Sequence, residues 1–481
     1  MKSPLRFAVS VVVVVAIIAL RVWIRSGKSR ENDLPHAGSA PVEQAQVVAE
    51  PEARRAFVPF PPGDLREQEC HFAFGVYHDP RPLKPPAEVV AALIPKFPEL
   101  HFSEKPAETE QWPVFTLEEY DAKSFTPPDE ESLAYCGQGL TSAEGARLQK
   151  CERASVFFFM GDANEASKVV EQGHEFLKAF AAETGGFLWD EETRQCFTAA
   201  AWDDRGRAGW ETDLPVVTRH ITIHFYANDV LFRAISLGMW KFGLPDVCLE
   251  GLTASEMSQA SGLINLTCQT MIERGKLEHA GVLPLDMGGL KCRAVREGIK
   301  MEGGTGKAFL EVAVGARDEG DPDNRLLELR FLQLSGGTES ERRHVFFARF
   351  FGSHDEVAHV SHDAELLAAR DRARAKLLGP VKADYLKGLG PAEKLLVKAP
   401  FRTSSGGNEW MWVEVTEWKG IEIKGILMND PDQCPGLKSG AHVVAKEDSL
   451  FDYIRTFPDG HDEGNETGTI MERREGESGE R

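Results

Sequence analysis

Three closely spaced histidines are the side chains most able to do chemistry in this chain. His354, His359 and His362 fall close together in one short segment. Imidazole nitrogens are good zinc or nickel ligands, and a single loop can gather several of them around one ion. A metal-dependent or otherwise cryptic hydrolase is therefore one hypothesis. The favoured interpretation is that these histidines are solvated residues at the junction of two domains.

A tryptophan-rich stretch is the second candidate site. Trp410 and Trp412 lie two positions apart in a predicted strand, so their side chains project from the same face. On that face they either fill a core beneath a helix or line a groove for an extended ligand. Glu409 and Asn429 lie nearby as possible polar contacts. We expect core packing for at least one indole, and the binding groove is the alternative.

The common catalytic signatures are missing. The glycines at 303, 304 and 306 precede a lysine, but a phosphate loop would need Gly in place of Met301 and Ser or Thr in place of Ala308. The sequence contains no G-x-S-x-G, H-E-x-x-H or G-x-G-x-x-G motif. None of the eight cysteines forms a C-x-x-C pair, which excludes zinc ribbons and thioredoxin-like redox motifs. We therefore expect no cofactor and favour binding over catalysis.

The charge of the chain excludes nucleic acid as a partner. Lys and Arg number 55 against 75 Asp and Glu, giving a formal net charge of −20. An acidic surface repels phosphate, and no basic stripe with interleaved aromatic residues is present. Hydrophobic residues at 42% and charged residues at 27% of 481 positions are typical of a globular chain with two or three domains.

The N-terminus carries an apolar segment at residues 7–24 whose single charge is Arg21. This length can cross a bilayer, because an arginine near one end can reach the interface. A cleaved signal peptide is the alternative, but small residues do not follow the apolar run. We predict a single-pass membrane anchor. Basic residues flank both ends, so the side on which the globular body lies stays open.

The remainder divides into a stalk, two α+β domains and a tail. Residues 26–64 are rich in Pro, Ala, Glu and Gln, which predicts a flexible stalk. We expect a larger α+β domain at 65–355, with a possible split near residue 289. A smaller α+β domain with an antiparallel sheet is expected at 363–468, followed by a disordered acidic tail at 469–481.

Apolar periodicity locates the main elements of these domains. A capping box formed by Thr253 and Glu256 precedes a predicted helix, and Gly379 with Pro380 is expected to end another. The predicted helices span 164–182, 257–271 and 363–378. The predicted strands span 155–160, 219–226, 230–236, 309–316, 326–334, 344–351, 395–401, 410–417 and 421–428.

Four ordered sequence blocks near the C-terminus resemble a known bacterial domain. They are residues 409–413 (EWMWV), 425–431 (GILMNDP), 437–440 (LKSG) and 464–465 (GN). Together they resemble the YegJ-like bacterial domain of unknown function, over roughly residues 363–468. Phe451-Asp452-Tyr453 stands where that family usually has Asp-Trp, so an aromatic side chain is kept. The family has no established activity, and the resemblance therefore implies a fold module but no reaction.

The function predicted from these features is that of a membrane-tethered interaction or ligand-binding protein. Its partners would be the membrane, through the N-terminal helix, and an unidentified protein or extended ligand. Trp410, Trp412, Glu409 and Asn429 are the candidate binding residues. The hydrolase that uses the three histidines is the alternative.

Overall fold

The computed structural model describes residues 29–30, 44–47, 56–105, 111–228, 231–334, 337–352, 364–390, 392–404 and 406–479. Within them the chain forms three large sheets, two two-stranded ribbons and the helices that pack on the sheets. The predicted α+β class is confirmed. The predicted anchor at 7–24 lies outside these residues, and among the described helices none has the length and apolar character needed to span a bilayer.

The first sheet, here called the N-terminal sheet, has seven strands. Phe157 and Phe159 lie on one face and are almost fully buried. The Ala166–Thr184 helix packs on that face, where the ring of Phe157 lies 5.4 Å from Phe176 and 4.7 Å from Phe180. Four other helices belong to this part: Pro86–Leu93, Glu130–Cys136, Ser142–Leu148 and Ala199–Ala208. The strand order is His101–Phe102, Val114–Asp121, Arg153–Asp162, Glu69–His78, Phe187–Asp190, Gln195–Phe197, Gly137–Gln138.

The second sheet, the central sheet, has six strands. The Met257–Arg274 helix packs on it and starts after the predicted capping box, in which the Glu256 carboxylate accepts a hydrogen bond from the Thr253 backbone N at 2.8 Å. One hydrophobic cluster includes residues of both sheets, from Phe60 to Phe351. The strand order is Thr222–Asn228, Leu231–Leu237, Asp246–Leu252, Leu326–Arg330, Lys307–Val314, Val282–Asp286. The two ribbons pair Trp210–Glu211 with Leu214–Pro215 and Gly63–Asp64 with Lys276–Leu277.

One predicted strand of this region is a helix. Residues 344–351 belong to the Glu339–Phe351 helix, which begins at a capping box between Thr338 and Glu341. The buried phenylalanines at 346, 347, 350 and 351 recur at the helical period and form one face of it. The prediction was wrong because a short apolar run fits both periods; the capping box at Thr338 and Glu341 is the signal that favours a helix. A short helix, Arg293–Gly298, precedes this region.

The third sheet, the C-terminal sheet, draws strands from both ends of the chain. Two short strands come from the predicted stalk: Gln46–Val47 forms one edge and Ser29–Arg30 pairs with Asn408–Lys419. Such pairing uses backbone hydrogen bonds and needs no apolar side chains, so composition did not reveal it. The order of the remaining strands is His442–Lys446, Glu422–Leu427, Asn408–Lys419, Lys394–Arg402, Asp452–Thr456, Asp462–Gly464.

The helices of the C-terminal domain differ from expectation at both ends. The Ala364–Lys376 helix does not end at Pro380 but passes through a wider turn, Leu377–Val381, into Lys382–Tyr385. Such a turn accommodates a proline, which lacks a backbone N–H. Residues Glu466–Gly479 form a helix where a disordered tail was expected from 469. Ile470 and Met471 of this helix pack against Leu366 and Ala369.

Candidate functional site at the polar face of the C-terminal sheet

The C-terminal sheet has one apolar face and one mixed face. Met411 and Val413 lie in the core beneath the Ala364–Lys376 helix. Because side chains alternate along a strand, Trp412 and Glu414 lie on the opposite face. That face, called here the polar face, carries Lys394, Lys398, Trp412, Glu414 and Asp452.

A buried lysine lies at the middle of the polar face. Lys398 pairs across neighbouring strands with Trp412 on one side and Asp452 on the other. It is 1% exposed, and its Nζ lies 5.4 Å from the centre of the Trp412 ring, within the range of a cation–π contact. Burial lowers the pKa of Lys398 to about 8, although the carboxylate of Asp452 opposes that shift.

Asp452 is the acidic partner of this lysine. It is fully buried and accepts hydrogen bonds from the Thr467 backbone N (2.8 Å), the Thr467 Oγ1 (2.6 Å) and the Tyr453 backbone N (2.8 Å). Burial raises the pKa of Asp452, while the bonds from Thr467 and the charge of Lys398 oppose that shift. The start of the Glu466–Gly479 helix thus holds the Asp452 carboxylate inside the domain, on the strand next to Lys398.

The other charged pair of the polar face, Glu414 and Lys394, contacts the part of the protein built on the N-terminal and central sheets, called here the body. Glu414 Oε1 accepts a hydrogen bond from the backbone N of Ala254 at 3.0 Å, and Lys394 Nζ donates to Ser255 Oγ at 3.3 Å. Both side chains are buried, which raises the pKa of Glu414 and lowers that of Lys394. Ala254 begins the turn that leads into the Met257–Arg274 helix. A helix-start N–H, which lacks a partner within the helix, is therefore satisfied by a carboxylate of another domain.

A salt bridge and a close backbone approach complete this contact. At this helix start, the Glu256 carboxylate accepts hydrogen bonds from Arg343 Nε at 2.7 Å and from Arg343 Nη2 at 3.0 Å. Gly440 of the C-terminal domain lies against the Glu339–Phe351 helix, and a Cβ at that position would come within 2.8 Å of the carbonyl oxygen of Ser340. Gly440 also has a φ of +87°, so only glycine permits this approach without strain.

The four predicted binding residues are brought together, but in the interior. Trp410 is 6% exposed, Trp412 1%, Glu409 1% and Asn429 1%. Glu409 accepts hydrogen bonds from the backbone N of the residues at 432 and 433, at 2.9 and 3.0 Å. Asn429 Oδ1 accepts from the Trp412 backbone N at 2.8 Å, and the Trp410 ring lies 4.8 Å from that of Phe451. These side chains hold the 429–434 loop against the sheet.

The histidines that suggested a metal site lie outside the described residues: His354, His359 and His362. Among the residues that the structure does describe, no group of three or more His, Cys, Asp or Glu side chains could hold a metal ion. All eight cysteines are free thiols.

Sequence reasoning missed a second buried charge cluster, between the N-terminal and central sheets. Asp190 is fully buried and accepts hydrogen bonds from Arg205 Nη2 at 2.5 Å and Lys241 Nζ at 2.6 Å. Burial would raise the pKa of Asp190, but Lys241 and Arg205 together hold it well below its usual range. Burial also lowers the pKa of Lys241 to about 8. The three residues lie far apart in the sequence, so their spacing carried no signal.

The fold and site thus define an α+β protein whose C-terminal domain packs its polar face against the body. Residues 382–477 match the family model described as "Uncharacterized protein conserved in bacteria (DUF2314)". The match confirms that the C-terminal region resembles a bacterial domain of unknown function. It includes every member of the polar face, from Lys394 to Asp452. Comparison with curated proteins and with solved structures gave no match.

Proposed function

We propose that this chain is a membrane-tethered interaction protein of bacterial type. Residues 7–24 hold it at the membrane, and the globular part binds another protein. The C-terminal domain acts as a protein-binding module whose first partner is the body of the same chain.

The observation that carries the proposal is the contact between Glu414 and the backbone N of Ala254. The polar face carries four buried charged residues whose pKa burial shifts towards the neutral form, Lys394, Lys398, Glu414 and Asp452. Glu414 and Lys394 make hydrogen bonds to the body. Lys398 and Asp452 pair with each other inside the C-terminal domain. A buried carboxylate that receives a backbone N–H is a means of recognising a protein segment. This arrangement supports protein binding by the polar face.

The tether is tested by fractionating cells that express the full chain or a chain lacking residues 7–24. The apolar stretch of 7–24 is long enough to cross a bilayer, so the full chain should stay with the membranes after an alkaline carbonate wash. The shortened chain should be found in the soluble fraction. Release of the full chain by carbonate would contradict the tether.

The docking half of the proposal is tested separately with Glu414→Leu. Leucine keeps the volume but removes the acceptor, which leaves the N–H of Ala254 without its partner. The C-terminal domain should then separate from the body, and the radius of gyration from small-angle X-ray scattering should increase. The matched control is Glu417→Leu on the same strand, where the side chain is 39% exposed and pairs with Lys424. An unchanged radius in Glu414→Leu would contradict the docking role.

A further inference from the structure

The N-terminal sheet has one face that is only partly covered. The face opposite the Ala166–Thr184 helix bears a small core at one end, to which Tyr77, Ala154 and Trp189 contribute. Leu133 and Leu148, from the Glu130–Cys136 and Ser142–Leu148 helices, belong to that core and cover that end. The other end of the same face carries Phe158, whose exposed fraction is 38%.

Phe158 lies on an interior strand and not at an edge. It pairs with Thr116 on one neighbouring strand and with Ala73 on the other. Met160, the next residue on that face, pairs with Val114 and His71. Ala73 and Val114 are buried and Met160 is half-buried, so the Phe158 ring is the exposed apolar group of this surface, called here the Phe158 face. A singly exposed apolar side chain is common on protein surfaces, so the Phe158 ring indicates a binding site only together with the charges around it.

Acidic side chains lie at both ends of the Phe158 face. Glu118 pairs with Val156 and is therefore a diagonal neighbour of Phe158. At the other end Asp162 pairs directly with Glu69, two exposed like charges opposite each other. Six strand steps separate the row of Val156 from the row of Asp162, a distance of about 20 Å.

Basic side chains are absent from this face of the three central strands. The side chains on it are Val114, Thr116, Glu118 and Tyr120, then Ala154, Val156, Phe158, Met160 and Asp162, then Glu69, His71, Ala73, Gly75 and Tyr77. The histidine among them, His71, has its Nε2 3.2 Å from Glu69 Oε2. The local charge is therefore negative, in keeping with the net charge of −20.

We infer that the Phe158 face binds an extended segment of another protein, apolar at its centre and with Lys or Arg at both ends. This inference rests on the proposed function, that the globular part binds a protein. The acidic ends would attract the basic residues, and Phe158 with Met160 would receive the apolar ones. About six extended residues span the distance between the acidic ends. The negative charge disfavours both an anionic lipid surface and a second copy of this acidic chain.

The test is to pan a phage library of random heptapeptides against the full-length protein immobilised in detergent. The wild type should enrich peptides with apolar centres flanked by Lys or Arg. Peptides of the enriched class should bind at least tenfold more weakly to Phe158→Ser, and binding to the wild type should weaken as salt increases. Phe309→Ser is the matched control, because Phe309 is 79% exposed but lies on the central sheet, and it should bind like the wild type.

A charge-reversed variant keeps the inference testable if Phe158→Ser fails to fold. Glu69 and Glu118 are exposed, so the double variant Glu69→Lys/Glu118→Lys should fold and lose the preference for basic ends. No enrichment, enrichment of acidic peptides, or equal binding by all variants would overturn the inference. Phe158-dependent sedimentation with phosphatidylglycerol vesicles would assign the face to a lipid surface and would also overturn it. These outcomes leave the Glu414 test unaffected, so the two proposals can fail separately.

Discussion

Lys398 is a lysine that the fold holds almost entirely away from water. A buried ammonium is costly unless other groups stabilise it, and here the Trp412 ring and the Asp452 carboxylate do so. The sequence contained a signal for this group, since residues 395–401 read LLVKAPF and hold one lysine in an apolar run. The partner at 452 could not be read in this way, because strand register decides which residues meet.

His78 gives a pH prediction at the residue scale. It is fully buried, with Nε2 2.8 Å from Ser155 Oγ, and burial lowers its pKa from 6.5 to about 4. The unfolded chain therefore takes up this proton first as the pH falls, so stability is lost between about pH 6.5 and 4. Between pH 7 and pH 5 this group should reduce the free energy of unfolding by about 2 kcal/mol.

Urea unfolding at both pH values checks this prediction in the wild type and in His78→Gln. Glutamine can retain a hydrogen bond to Ser155 but does not titrate. The wild type should therefore lose about 2 kcal/mol more than the variant on going from pH 7 to pH 5. The same pH dependence in both proteins would show that His78 does not have a lowered pKa.

At the scale of elements, alternation and capping were the reliable signals. They located the Met257–Arg274 helix after its capping box and the Asn408–Lys419 strand with its two faces. They did not distinguish a short apolar helix from a strand at 344–351, where both periods fit. They also gave no sign of Gln46–Val47 or Ser29–Arg30, since edge pairing depends on backbone groups that every residue carries.

Trp412 gives a stability prediction at this scale. It is 1% exposed and packs with Leu396 and Ile454, so Trp412→Ala should reduce the free energy of unfolding by about 3–5 kcal/mol. Trp112→Ala is the matched control: Trp112 is 36% exposed, and the cost should be below about 1 kcal/mol. Thermal melts of the full chain compare the two. Equal, small losses would place Trp412 in an accessible groove and restore it as a ligand contact.

At the scale of the whole molecule, the candidate site is a contact between domains that sequence reasoning could not place. The sequence identified the module and the strand that carries Trp410 and Trp412 on one face. The segment that meets this face, at Ala254 and Ser255, precedes it by more than a hundred residues, and its capping box predicted a helix start but no contact with another domain. The proposed docking therefore rests on three-dimensional placement, while the proposed tether at 7–24 rests on composition alone.

Hydrogen–deuterium exchange at residues 253–256 is the most direct test of docking by the C-terminal domain. The N–H of Ala254 is protected in the structure by Glu414 Oε1 at 3.0 Å. In full-length Glu414→Leu this segment should exchange at least tenfold faster than in the wild type, because the acceptor is removed and the domain separates. In Glu417→Leu it should exchange at the wild-type rate. Unchanged exchange in Glu414→Leu, or an equal increase in both variants, would contradict docking through the polar face.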